Sequence, residues 1–293
     1  MNNPRERREK LAPPPRVGDE AAMPDRLARC VTLNTWKNEG DYAARLPAMA
    51  AGLAALAPDL VLLQECFRTA DGAADTARAL ASALGLEVAY APARAKTRVW
   101  QGRPVPSESG HAVLVRGAIA WAERLALPSD EAGGERIALF AAVDLAAGGR
   151  VLAACIHLAH RRGDRARRRE QLEVVLAHPA WREPADLRVL GGDCNATAES
   201  PELAWLAAHP DLAIRRGSPE TPTHPLPLGA GRVGRCIDHL FFVGPASERG
   251  AEVAAHGVAL AAPHRGVWPS DHAAMWADAV RAGGGGRARG MSL

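Results

Sequence analysis

Cysteine is scarce in this 293-residue chain, and what there is does not pair. The five thiols, Cys30, Cys66, Cys155, Cys194 and Cys236, are odd in number and show no CxxC spacing. Most lie inside or beside apolar runs, so reduced, buried sulfur is expected rather than a disulfide framework. Cys155, His157 and His160 cluster in sequence, but no second ligand pair with a usual spacing accompanies them, which argues against a zinc site there. Long apolar runs are missing as well. The Ala/Leu-rich stretch 43–63 is broken by Arg45, Pro47, Pro58 and Asp59, short of the roughly 18–20 apolar residues that span a bilayer. After the charged opening MNNPRERREK comes a Pro-rich segment where a secretory leader would need an apolar core, so a cytoplasmic protein is expected. Neither GxSxG nor GxxxxGK[ST] occurs, which removes the serine-hydrolase and P-loop readings. Net charge is only +3, and the three arginines of residues 281–293, without an acid, account for it. The remainder balances acid against base and lacks the global basic footprint of a tight duplex-DNA binder.

Residues 1–25 combine alternating charges with Pro13, Pro14 and Pro15 and read as an extended, flexible arm. The Gly/Arg-rich tail 281–293 has too little apolar surface to repay ordering. That leaves 26–280 as the domain. Within it the spacing predicts helices at 42–56, 76–84, 165–176 and 201–208. Strands are expected at 29–34, 59–64, 86–91, 111–116, 118–127, 137–145, 150–157, 187–190, 236–243, 251–259 and 273–277. Many strands with a few inserted helices imply an α/β fold, two mixed β-sheets packed as a sandwich with helices on the outer faces.

Polar residues recur where the apolar runs stop: Asn34 after CVTL, Glu65 after LVLLQ, His157 after VLAACI, Asp193 and Asn195 after VLGG. A group just beyond a buried strand is held rigidly yet reaches solvent, which suits a ligand site. Singly, each has an ordinary use: Asn34 can cap a turn, Glu65 can pair with an arginine, Asp193 can begin an Asx-turn. Later segments add Asp238 in RCIDHLFF and Asp271-His272 in WPSDHAAMW. Several carboxylates with two histidines and no nucleophile motif favour attack by an activated water, and hard oxygen ligands point to Mg2+ or Mn2+.

In order, TLNTW, LLQE, CIHL, RREQL, GGDCNA, IDHLFF and SDH resemble the motifs of the endonuclease/exonuclease/phosphatase superfamily, over about residues 29–277. The resemblance implies a deoxyribonuclease I-like fold and a Mg2+- or Mn2+-dependent hydrolase cleaving a phosphodiester or phosphomonoester. It implies Glu65 as principal metal ligand, with Asn34 and Asp271 nearby. Asp193 would activate or orient water and Asn195 would hold a phosphate oxygen. His157 and His272 would stabilise developing charge, with Asp238 orienting His272. One departure concerns the tyrosine that abasic-site nucleases place near the loop before GHAVLVR, which is not evident here and weakens a DNA-repair reading.

Two basic segments, 94–103 and 161–169, are candidates to recruit an anionic substrate, with Arg94, Arg98, Arg161 and Arg162 as the binding residues. The ordinary alternative for each is a solvated loop or helix face. The substrate class stays open between nucleic acid and a small phosphoester, and no protein partner is indicated. Two competing readings are a catalytically silent binding module of this fold and a nucleic-acid binder acting through its basic segments.

Overall fold

A computed structural model describes residues 26–131, 133–210, 212–217, 221–226, 234–245 and 251–281. The expected arm at 1–25 lies outside the described residues, as does the expected tail beyond Arg281. In chain order the elements are β1 (Arg26–Asn34), α1 (Tyr42–Leu56), β2 (Leu60–Thr69), α2 (Thr76–Leu84), β3 (Glu87–Trp100), β4 (Arg103–Val115), β5 (Gly117–Leu127), β6 (Arg136–Leu145) and β7 (Arg150–His157). Then follow α3 (Arg165–Leu176), β8 (Leu187–Asp193), α4 (Pro201–Ala207), β9 (Leu212–Arg216), β10 (Asp238–Pro245), β11 (Glu252–Ala259) and β12 (Ala274–Val280).

The strands form two six-stranded mixed sheets, ordered β11-β12-β1-β2-β4-β3 and β5-β6-β7-β8-β10-β9. Period-two alternation divides each central strand between two cores. Leu60, Leu62, Val113, Leu139, Ala141, Ala153 and Cys155 point between the sheets. Their neighbours Val61, Leu63 and Leu114 pack under Met49 and Leu53 of α1 and Leu80 of α2. On the other outer face Phe140, Ala154 and Ile156 pack under Leu172 and Val175 of α3 and Leu203 and Leu206 of α4. Both faces of each sheet are therefore buried, which is why these strands read as continuous apolar runs.

Local chemistry sets the helix limits. The Asp41 carboxylate accepts from Ala44 N–H at 3.1 Å to open α1, and Asp75 accepts from Arg78 N–H at 3.0 Å to open α2. Left-handed Ala57 and Gly85 close them. All five cysteines are buried, and no disulfide joins them.

Two differences from the sequence reading matter for the site. The strand expected at 86–91 runs on to Trp100 and pairs along its length with β4, so the first basic segment is a β-hairpin rather than a loop. The strand expected to end at Gln64 continues through Glu65 to Thr69.

Candidate active site

Topology brings the scattered polar residues to one rim. β1 and β2 are parallel, joined over α1, and β7 and β8 are parallel, joined over α3. Their C-terminal ends deliver Asn34, His157 and Asp193. β10 is antiparallel to β8 and starts opposite its end, pairing Asp238 with Asp193, while β12 is antiparallel to β1 and begins just after His272. Glu65 arrives differently. Register with β4 breaks between Leu63 and Cys66, and Glu65 takes a φ of 57°. That bulge turns its carboxylate towards the rim. Gln64 beside it stays beneath, donating to Thr32 Oγ1 at 3.0 Å and to Cys155 Sγ at 3.2 Å, and so ties the two sheets under the pocket. Gly192 has a structural reason to be glycine: its φ is 145°, and a Cβ would fall 1.9 Å from the Ile156 carbonyl oxygen.

Asp193 is the hub. Its Oδ2 accepts from Asn34 Nδ2 at 3.1 Å and lies 3.4 Å from His157 Nε2 and 3.8 Å from His272 Nε2. Its Oδ1 accepts from Asn195 N–H at 2.9 Å. Asn195 spends one amide hydrogen on the Leu158 carbonyl. His272 Nδ1 and Asp238 Oδ2 are 2.9 Å apart, and the other oxygen of this fully buried carboxylate, Oδ1, has no partner among the described residues. Glu65 lies 4.0 Å from His157 Nδ1, and Lys37 Nζ reaches its Oε1 at 2.8 Å. Asp271 faces two ways. Its Oδ1 lies 3.4 Å from Ser270 Oγ, the hydroxyl that donates to the Asn34 carbonyl, and its Oδ2 lies 3.5 Å from His224 Nε2. All eight residues proposed from sequence for chemistry and metal binding thus share one connected network.

Burial and charge set the protonation states. Burial, then the neighbouring Asp238 charge, pushes the Asp193 carboxyl up to about 6. Burial works against a charged His272, but the bonded Asp238 and nearby Asp193 outweigh it and hold the imidazolium up to about 10. His157 goes the other way, well below an ordinary histidine, through burial and the cation of Arg136. Asp271 is lowered, since the His224 bond and the charge of His272 overcome burial.

The four proposed substrate arginines divide. Arg94 is exposed and packs over the β5–β6 loop, where a Cβ on Gly134 would meet its Nη1 at 2.8 Å. Arg161 meets the same loop through Asp130 and also pairs with Asp164, and Arg162 is exposed. Arg98 departs from expectation: it is buried inside the β3–β4 hairpin, donating to Ser107 Oγ at 3.1 Å and Ser109 Oγ at 2.9 Å. The RREQL motif proves structural. Arg168 bonds Glu202 Oε1 and the Ala159 carbonyl, and Gln171 accepts from Ala159 N–H, so α3 clamps the loop that follows His157.

Sequence reasoning did not single out Lys37, His224 or Arg136. Arg136 donates from Nη2 to His160 Nδ1 at 2.8 Å while its buried Nε has no partner among the described residues. His224 stacks on His272 with ring centroids 4.1 Å apart. A lone histidine in TPTHP and a lysine two residues after TLNT carry no local signal, because their role comes from residues distant in the chain.

The fold is found in known proteins. No curated protein matches the chain in sequence. The endonuclease/exonuclease/phosphatase from Beutenbergia cavernae is 25% identical, over 87% of this chain and 71% of its own, with a TM-score of 0.66. D. rerio TDP2, solved with a single strand DNA product, is 16% identical over 85% of this chain and 97% of its own, at a TM-score of 0.63. The human Nocturnin catalytic domain, solved with a bound sulfate anion, is 17% identical over 86% and 94%, at 0.61. The profile of the Endonuclease/Exonuclease/phosphatase family matches residues 31–272, from Val31 inside β1 to His272. The match therefore takes in every element that builds the rim except β12, and the chain belongs to the endonuclease/exonuclease/phosphatase family of phosphoesterases.

Proposed function

We propose that the chain is a divalent-metal-dependent hydrolase that cleaves a phosphoester by in-line attack of water at phosphorus. The observation that carries this reading is the Asp193 hub, a buried carboxylate ringed by Asn34, His157, Asn195 and His272. Asp193, raised to about 6, is basic enough to take a proton from an attacking water and is still ionised at neutral pH. The His272 imidazolium, held in place by Asp238, donates from Nε2 to a phosphoryl oxygen as charge accumulates there. Neutral His157 supplies a further N–H, and the second amide hydrogen of Asn195 orients another oxygen.

The residues fit a hard divalent cation. Glu65 would be the anionic ligand, with Asn34 and Asp271, which are linked through Ser270, as further ligands. The Lys37 ammonium on Glu65 and the Asp238 Oδ1, unpartnered among the described residues, mark a pocket whose negative charge seeks cations. When bound, Mg2+ or Mn2+ supplies positive charge to the phosphoryl oxygens and acidifies water. Arg94, Arg161 and Arg162 would recruit the anionic substrate, and the anions held by two structural neighbours, single strand DNA product and sulfate, are of the kind such cations attract.

The test is a panel of abasic and intact DNA, RNA, sphingomyelin, inositol phosphates and simple phosphodiesters, with Mg2+ or Mn2+ and with chelator. Metal-dependent release from at least one of them is expected, abolished in Asp193→Asn. Activity that persists in chelator, or that Asp193→Asn leaves untouched, would sink the reading.

A further inference from the structure

At the edge of the Asp193 network stands a different donor set. His224 Nε2 is 3.5 Å from Asp271 Oδ2, and its ring lies on that of His272 with a tilt of 23°. One ligand atom from each of His224, Asp271 and His272 lies within 4.8 Å of the others. Donors bound to one ion at about 2.0–2.2 Å are at most about 4.4 Å apart, so small rotations close the set. Two imidazoles and one carboxylate prefer a first-row transition metal to Mg2+, which asks for oxygen. A second observation stands behind His272. Its Nδ1 is engaged by Asp238 Oδ2 at 2.9 Å, and Asp238 is fully buried with Oδ1 unpartnered among the described residues. A carboxylate behind the ring fixes the tautomer and leaves Nε2 as the outward atom, the arrangement that backs metal-ligating histidines.

We propose that His224, Asp271 and His272 form a site for a zinc-class transition-metal ion, sharing only the Asp271 carboxylate with the oxygen-rich site at Glu65. Occupancy takes the Nε2 of His272, the atom that donates to the phosphoryl oxygen in the reaction proposed above, so Zn2+ bound here inhibits Mg2+-dependent turnover. The inhibition rests on that reading of the reaction, whereas the binding does not.

The full chain is dialysed to equilibrium against Zn2+ in saturating Mg2+, and retained zinc is measured. Wild type retains a single equivalent. His224→Ala and His224→Phe, the second of which keeps a ring stacked on His272, each weaken Zn2+ binding by about tenfold or more, while Glu65→Gln leaves it intact. Unchanged affinity in both His224 variants overturns the site, and so does loss of zinc in Glu65→Gln alone. In turnover assays, about tenfold more Zn2+ is needed to inhibit either His224 variant than wild type. Zinc bound at His224 without inhibition overturns the regulatory half. Because dialysis uses no substrate, failure of the hydrolase reading and failure of the zinc site give different results.

Discussion

At the scale of single residues the pocket is an arrangement of buried charge, and its substitutions should act through charge rather than shape. Glu65→Gln keeps the volume and removes the anion that faces Lys37 at 2.8 Å. Half-saturation by Mg2+ in a turnover assay should rise about tenfold or more, since an amide holds a hard cation poorly. Unaltered metal dependence would take Glu65 out of the metal site. Asp238 and His272 form a second unit, bonded at 2.9 Å and both buried. Asp238→Asn leaves His272 without the charge that holds it protonated, so removing the ring as well adds little further loss. A double-mutant cycle on kcat should show coupling of about 1–3 kcal/mol. If the two losses multiply, the residues act independently and the dyad is wrong.

At the scale of elements, the β3–β4 hairpin separates the arginines by what their donors touch. The two serine bonds of Arg98 are buried, so Arg98→Gln should lower stability by about 1.5–3 kcal/mol in urea unfolding. Arg94→Gln and Arg162→Gln remove exposed charge and should raise KM and flatten its salt dependence while kcat changes little. A KM rise in Arg98→Gln without loss of stability would reverse this division. The hairpin also marks where the sequence stopped being legible. Residues 42–56, 76–84 and 165–176 were readable as helices because apolar spacing and breakers delimit them locally. The second half of β3 was not, since its Arg and Lys side chains stand on an exposed edge strand where no buried face imposes alternation. Asn34, Glu65, His157 and Asp193 stood out by lying at the ends of apolar runs, a local pattern. His224 and Lys37 did not, because only the fold brings them to Asp271 and Glu65.

At the scale of the whole molecule, two sheets whose parallel pairs end on one rim bury histidines and a carboxylate of opposed titration behaviour, and stability must follow pH accordingly. Burial holds His111 down to about 3, against an opposing bond to the Cys155 carbonyl, and His157 also lies well below its ordinary value. A depressed imidazole contributes stability that is present above the unfolded value near 6.5 and lost as pH falls, at about 1.4 kcal/mol per unit for each group. Asp193, raised to about 6, has the opposite sign: its folded form binds a proton the unfolded chain releases, so it stabilises as pH falls below about 6. His272, raised to about 10, is protonated in both states at acidic pH, and its contribution is lost only as pH rises from about 6.5 through 10. Burial also lowers His239 and His160, so between pH 6 and 5 the losses at the depressed histidines outweigh the gain at Asp193, and unfolding free energy should fall with pH. Asp193→Asn removes the gain and should steepen that slope. His111→Gln removes one loss, keeps a donor for the Cys155 carbonyl, and should make the slope shallower than in wild type. Urea titrations of the three proteins at pH 6 and 5 measure the slopes directly, and parallel slopes would show that these groups do not titrate in the folded protein as their surroundings dictate.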